Sequence, residues 1–320
     1  MDVTSQAGHA TAVRLKAALL GMVGSFILFA AYLAVPPVGM LTGIFTPFPA
    51  AYTRIMYGRL PAFIVMLGAA TAITLLFGVF AGTLFLGMSA ITGFVLPELL
   101  LRGISGSRSL FVTTAINVVV LAVAVVLYSA TSGLDLQQFL SAEISNSLKQ
   151  AIQMYEKGGV KGEDLELVKQ TMQTVAALLQ RLYPALITIM LIIISICNLA
   201  LLKKTTATST SPLAIDEFNN FKNPDLMVWV VIASGFILLA PDQLISTIAL
   251  NILLVVSVLY FFQGMAVVKT VIERQALAGI LRIGLYVMLI FQPYLAAFVA
   301  AIGLCDLWVD FRTPKKQENL

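Results

Sequence analysis

Apolar residues in this chain fall into long unbroken runs, unlike the alternating or one-face patterns of water-soluble elements. One run extends from Ala17 to Val35, and others cover Leu60 to Phe77, Val79 to Leu101, Leu110 to Ala130, Tyr183 to Leu202 and Leu244 to Val268. A helix rises about 1.5 Å per residue, so roughly twenty such residues match the ~30 Å hydrocarbon core of a bilayer. A transmembrane barrel would instead need alternating segments of about ten residues. The pattern therefore predicts an all-α, polytopic transmembrane helical bundle. Three further segments are apolar but imperfect. Residues 36–59 are interrupted by two proline pairs, Leu226 to Ala240 is short, and Leu285 to Leu304 contains Pro293. Together the segments predict eight or nine spans, depending on whether 226–240 crosses.

Between Gly133 and Arg181 the period changes. Leu136, Leu140, Ile144, Leu148, Ile152 and Tyr155 recur every three or four residues, and Gly158 with Gly159 interrupts them. Leu165, Val168, Met172, Val175, Leu179 and Leu182 then resume the same spacing. This predicts an extramembrane amphipathic helical hairpin on the outer side. The expected organisation is an N-terminal membrane bundle of five spans over 1–132, the hairpin over 133–181, and three or four membrane helices over 182–320. Residues 203–225, which include the low-complexity stretch TTATSTS, read as a flexible cytoplasmic linker.

Composition agrees with the pattern and narrows the chemistry. Apolar residues are 59% and charged residues 11%, against about 25% charged in soluble domains. The bilayer is thus the first partner. The formal net charge of +4 reads as loop asymmetry, with no nucleic-acid partner. Arg14 and Lys16 ahead of the first run place the N-terminus in the cytoplasm, and that run reads as an uncleaved signal anchor. The same rule puts Arg54, Arg59, Arg102, Arg108, Lys203 and Lys204 inside; the side of the C-terminus stays open, because the eight- and nine-span topologies trade equal numbers of basic residues. Cys197 and Cys305 both lie in apolar runs, so no disulfide is expected. His9 is the one histidine, which excludes a His-based metal centre or a Ser-His-Asp triad within the chain. No metal and no cofactor are expected. The turn RGISGSR at 102–108 lacks the lysine of a phosphate loop and follows no strand.

Residues 36–59 are the segment around which the rest is arranged. Prolines at membrane depth remove amide donors, so the irregular backbone must be buried in protein or line a cavity. A broken helix beside a pocket is expected there, with Thr46, Pro47, Phe48, Pro49, Tyr52 and Arg54 as candidate ligand-binding residues. Ala17, Gly21 and Ser25 form a small-residue stripe, suited to close packing within the chain or to a partner membrane protein. Glu98 and Arg102 share a helix face as an ion pair, and Asp242 is placed to cap the helix that follows it. Asn117, Asn198, Asn251, Gln263 and Gln292 lie in spans, where interhelical hydrogen bonds are expected. Asp306, Asp310 and Arg312 form a charge cluster beside Trp308, read as interfacial, with a shared proton or a bound cation as the alternative. No nucleophile and base pair up, so no catalytic residue is assigned and the chain is not expected to be an enzyme.

Several short elements occur in an order that resembles a known family. PFP with Arg54, Tyr57 and Gly58, then FFQG at 261–264, then Gly303 with Asp306, Asp310 and Arg312 resemble the YybS-like bacterial membrane proteins along essentially the whole chain. That family is in turn similar to the six-helix substrate-binding S components of energy-coupling-factor vitamin transporters. The resemblance implies the bacterial inner (plasma) membrane, binding or transport of a small molecule or lipid precursor, and a transport ATPase module as partner. It also makes Gln263 a candidate ligand contact. The 133–181 insert and the extra helices depart from a plain S component. The alternative is a membrane scaffold or assembly protein that acts through the hairpin and the linker without transport.

Overall fold

The computed structural model describes residues 3–132, 136–207, 218–274, 279, 283–284, 287–289, 292–309 and 311–312. Every regular element among them is helical. Among the described residues six helices are long and apolar enough to cross a membrane: Thr11–Ala34, Arg59–Phe77, Val79–Leu101, Gly106–Thr131, Glu163–Thr206 and Gln243–Arg274. The chain is an all-α polytopic membrane protein. It forms two compact units, one of Met1–Ala122 with Met190–Asp216 and the other of Val123–Ile189 with Glu217–Leu320. These divisions differ from the expected boundaries near 132 and 181.

In the first unit, α1 (Val3–Ala34) takes in the polar residues ahead of the first apolar run. At Val35 the backbone leaves helical geometry (φ −131°, ψ 84°), and Pro36 and Pro37 open α2 (Pro36–Ile44). Proline suits a first turn, where its missing N–H has no partner to lose. The corner is tight. A Cβ at Gly39 would lie 2.6 Å from the Tyr32 carbonyl oxygen, and one at Gly43 would lie 2.8 Å from the Tyr32 ring. After a bend at 45–47 comes α3 (Phe48–Tyr57). Gly24 faces Pro49 and Gly21 faces Thr53, so α2 and α3 run back along α1.

Next, α4 (Arg59–Phe77) sets out in the same direction as α1. Gly21 lies against Val65, Met22 against Gly68, and the Phe26 and Phe77 rings are 6.2 Å apart. The chain therefore returns to the end where α1 begins before α4 starts. The expected second pass is two short helices and a bend, neither long enough to cross alone at about 1.5 Å per residue. Gly78 (φ 91°) reverses the chain into α5 (Val79–Leu101), and a Cβ at Gly82 would overlap the Thr74 side chain. A second turn leads to α6 (Gly106–Ser132). The core between these helices includes Phe29, Val65, Met66, Ile73, Phe85 and Ile194, with Phe29 and Phe85 edge to face at 5.4 Å.

The small-residue stripe is used inside the chain. Gly21 packs on Val65 and Thr53, Ser25 is buried, and Ala17 is half-buried. Of the two uses expected for the stripe, Gly21 and Ser25 serve close packing within the chain.

The 133–181 region contains α7 (Leu136–Lys157), a glycine turn with Gly159 (φ 94°) and Gly162 (φ 66°), and the start of α8 (Glu163–Thr206). The predicted second hairpin helix and sixth span are one 44-residue helix that passes Pro184 unbroken and extends to Thr206. The predicted linker therefore starts later, and its residues 208–217 lie outside the described residues. Asn251 explains the passage. Its Oδ1 accepts from Ala185 N at 2.9 Å and its Nδ2 donates to Arg181 O at 2.9 Å, so one amide pairs with both backbone groups beside the proline. Arg181 reaches the same helix through Thr247 and Ser246.

In the second unit α9 (Met227–Ile237) has eleven residues, about 16 Å, too short for a crossing. The next helix, α10 (Gln243–Arg274), begins at the cap the sequence indicated, with Ile245 N donating to Asp242 Oδ1 at 2.9 Å. Pro293 opens α11 (Pro293–Cys305) behind the extended Gln292; it starts a helix where a kink was expected. α10 and α11 meet almost backbone to backbone. A Cβ at Gly264 would overlap the Val299 carbonyl, and one at Gly303 the Tyr260 carbonyl. Cys197 and Cys305 are free thiols.

Candidate functional site

The bend in the broken helix can be followed carbonyl by carbonyl. Pro47 and Pro49 have no N–H, so the regular ladder cannot continue through 43–49. Phe45 N turns to Thr42 O (3.1 Å), Thr46 N to Gly43 O (3.2 Å) and Phe48 N to Phe45 O (3.0 Å). Ile44 O, which Phe48 N would otherwise serve, accepts from Asn198 Nδ2 at 2.8 Å. Thr46 Oγ1 donates to Gly43 O at 2.8 Å and accepts from Ser89 Oγ at 3.0 Å, while Ser25 Oγ reaches Thr46 O at 3.4 Å. Asn117 Nδ2 donates to Thr92 Oγ1 at 3.1 Å one helical turn further along α5. All these side chains are buried. Thr113 Oγ1, Thr114 Oγ1, Ser195 Oγ and Asn198 Oδ1 in the same unit are buried without a hydrogen-bond partner among the described residues.

The other predicted lining residues are placed as follows. Thr46 and Pro47 are buried, with Gly93, Ala50 and Met66 packed beside the Pro47 carbonyl. Pro49 lies on Gly24. The rings of Phe48 and Tyr52 lie 5.8 Å apart, tilted to each other, and pack on the apolar cluster of Ala51, Leu96, Leu100 and Leu202.

At the end of α3, Arg54 Nη2 donates to Glu98 Oε2 at 2.5 Å. Arg59 Nη2 reaches Glu98 Oε1 at 2.8 Å, and the expected i,i+4 partner Arg102 reaches the same oxygen at 3.3 Å. Three guanidiniums thus share one carboxylate. The i,i+4 pair was visible from spacing alone; Arg54 and Arg59 are 44 and 39 residues from Glu98, and only packing brings them there.

In the second unit, Gln263 and Asp306 come together. Gln263 Nε2 donates to Asp306 Oδ2 at 3.1 Å, and Arg312 Nη2 donates to the same oxygen at 2.7 Å. Gln263 Oε1 accepts from Asn223 N at 3.0 Å, Asn223 Nδ2 donates to Leu259 O at 3.0 Å, and Arg312 Nη1 donates to Asn219 O at 2.7 Å. The network fastens the segment 218–223 and Arg312 onto the α10–α11 crossing. Its polar groups are screened from lipid and water, since Gln263, Asp306 and Asn223 are buried. Asn219 and Asn223 carried no signal in the sequence, because they lie in a polar stretch outside any periodic segment. Asp310 lies outside the described residues, as do Lys315 and Lys316.

These elements are the ones whose order along the chain suggested a family. A family described as "Predicted membrane protein (DUF2232)" matches residues 23–307. The chain belongs to the DUF2232 family. The DUF2232 match takes in the bend, Glu98, Gln263 and Asp306, and ends before Arg312. No curated protein and no solved structure matches the chain. Elsewhere in the second unit, α9 and α10 form an apolar groove of about 480 Å³, lined by Trp229, Ala233, Ile237, Ile248 and Ile252 among others. Among the described residues no His, Cys, Asp and Glu group has the makings of a metal site.

Proposed function

We propose that this DUF2232 protein is a membrane-embedded binding or transport protein for a small molecule or a lipid precursor, of the S-component kind. The observation that carries the reading is an excess of hydrogen-bonding capacity around the broken helix. Buried hydroxyls cost free energy unless they are paired. The carbonyls of the bend are served by Asn198, Thr46 and Ser25, yet four further buried polar atoms in the unit have no protein partner. Ser195 and Asn198 are three apart on α8, and Thr113 and Asn117 four apart on α6, so each orphan shares a helix face with a residue already engaged at the bend or at Thr92. Discontinuous helices beside such groups are a recurring ligand-binding device in transporters. On this reading the basic end of the unit faces the cytoplasm of a bacterial cell.

The test is mass spectrometry of the protein purified in mild detergent. Wild type is expected to retain a small molecule or lipid that Thr113→Val with Ser195→Ala loses or halves. Identical spectra from the two, with nothing enriched, remove the reading.

A second reading, a scaffold that gathers other membrane proteins, draws on the large exposed apolar side chains of α7 and the first half of α8, including Phe139, Met154, Leu167 and Val175. A photo-cross-linker at Met154 that captures one defined protein supports it. Capture of lipid alone removes it.

A further inference from the structure

Between Val3 and Ala122 the sequence carries one acidic residue, Glu98, against Arg14, Lys16, Arg54, Arg59, Arg102 and Arg108. The helix directions gather these charges at one end of the first unit. α1, α4 and α6 begin there, and α3 and α5 finish there. Three of the arginines converge on Glu98. One carboxylate neutralises one guanidinium, so the cluster keeps an excess of two positive charges.

Its hydrogen-bonding capacity is likewise unfilled. A guanidinium has five N–H donors. Every side-chain hydrogen bond that Arg54, Arg59 and Arg102 make among the described residues goes to Glu98. The Arg54 side chain is 13% exposed, whereas Arg59 and Arg102 are 66% and 65% exposed. Arg54 is thus a fixed anchor that Glu98 holds in place, and the other two present open forks outward. Arg59 is also the first residue of α4, whose N-terminus has no side-chain cap, so the positive end of that helix adds to the field. Apolar side chains stand next to the forks: Leu60 is 73% exposed, Phe63 50% and Leu101 43%.

Forked donors with two surplus charges suit a planar or tetrahedral oxyanion carrying two negative charges. Helix ends lie at headgroup depth, and an apolar wall beside the forks suits an acyl or isoprenoid chain. We propose that Arg59 and Arg102, oriented by Glu98 and Arg54, form a site for a phosphate monoester or diphosphate group, carried on a lipid at the membrane surface. The inference deepens the binding reading above by naming the headgroup, and it rests on that reading only for its physiological purpose.

The experiment is native mass spectrometry of the detergent-solubilised full chain titrated with phosphatidic acid, which has a phosphate monoester, and with phosphatidylcholine, which has a zwitterionic diester. Wild type is expected to bind phosphatidic acid at least tenfold more tightly than phosphatidylcholine. Arg59→Gln with Arg102→Gln is expected to abolish that preference, and the double lysine variant to keep part of it. The readout is the ratio between the two lipids, which a purely structural ion-pair cluster would leave unchanged. Competition by millimolar inorganic phosphate identifies the phosphate group alone as the ligand, and lack of competition identifies the lipid; both support the site. Equal affinity for the two lipids in wild type, or an undiminished preference in a glutamine variant with wild-type circular dichroism, overturns it. A protein that retains a co-purified ligand yet shows no phosphatidic acid preference would remove this inference alone. Loss of all effect from the Thr113 and Ser195 substitutions would remove only the buried-pocket reading.

Discussion

Two prolines sit inside apolar segments of this chain and have opposite consequences. At Pro47 the helix ends and restarts, whereas at Pro184 a 44-residue helix passes through. Both sites are served by an asparagine from a distant helix. Asn198 donates to Ile44 O at the bend, and Asn251 pairs with Ala185 N and Arg181 O at the passage. The difference lies in what the backbone can do without help. At the bend, Phe48 N has been drawn to Phe45 O, so Ile44 O has no local donor to fall back on. Beside Pro184, Ala185 N and Arg181 O are an i,i+4 pair and can close on each other. A second proline two residues on, Pro49, turns the first case into a break. A proline pair therefore sets where the helix breaks, and an asparagine from a neighbouring helix serves the backbone groups left at each site.

Substitutions test this contrast. Asn198→Leu keeps the branched outline of the side chain and leaves Ile44 O buried without a donor, a cost of about 1–3 kcal/mol. A lowered melting temperature by circular dichroism in detergent would register it, and an unchanged melt would mean that the bend is stabilised by apolar packing alone. Asn251→Leu should cost less, about 0.5–1.5 kcal/mol, because the two groups it served can pair locally. If its cost equalled that of Asn198→Leu, the self-repair argument would fail. Ser25→Ala removes a long hydrogen bond of 3.4 Å and should cost under about 1 kcal/mol in the same melt. Pro184→Ala should be smallest of all, within about 0.5 kcal/mol of wild type or slightly stabilising, since the helix is already continuous and alanine is the better helix former. A large loss there would show that Pro184 holds a geometry that Asn251 requires.

The asparagines illustrate how far sequence reading goes. A lone amide in an apolar run announces an interhelical hydrogen bond, and Asn117, Asn198 and Asn251 each make one. Their partners were illegible, since Asn198 meets a carbonyl 154 residues away. Glu98 shows the same limit. Its pairing with Arg102 follows from helical spacing, but the two other guanidiniums arrive because α3 and α4 fold back to the same end. The order of FFQG, Gly303, Asp306 and Arg312 along the chain hinted that they belong together. Their common purpose, a glycine crossing locked by a buried Gln–Asp–Arg network, required the packed helices.

By itself the sequence determined the helical membrane class, the positions of the long helices, the cap at Asp242 and the grouping of basic residues at the ends of apolar runs. Each of these depends on residues within a helical turn of one another, or on the match between run length and bilayer thickness. Tertiary structure alone decided which distant asparagine serves each proline site, which glycines admit a neighbouring backbone, and how many arginines share Glu98. Those outcomes turn on donors, acceptors and charges supplied from tens of residues away, in an interior where an unpaired polar group is costly and no water is at hand to replace the partner.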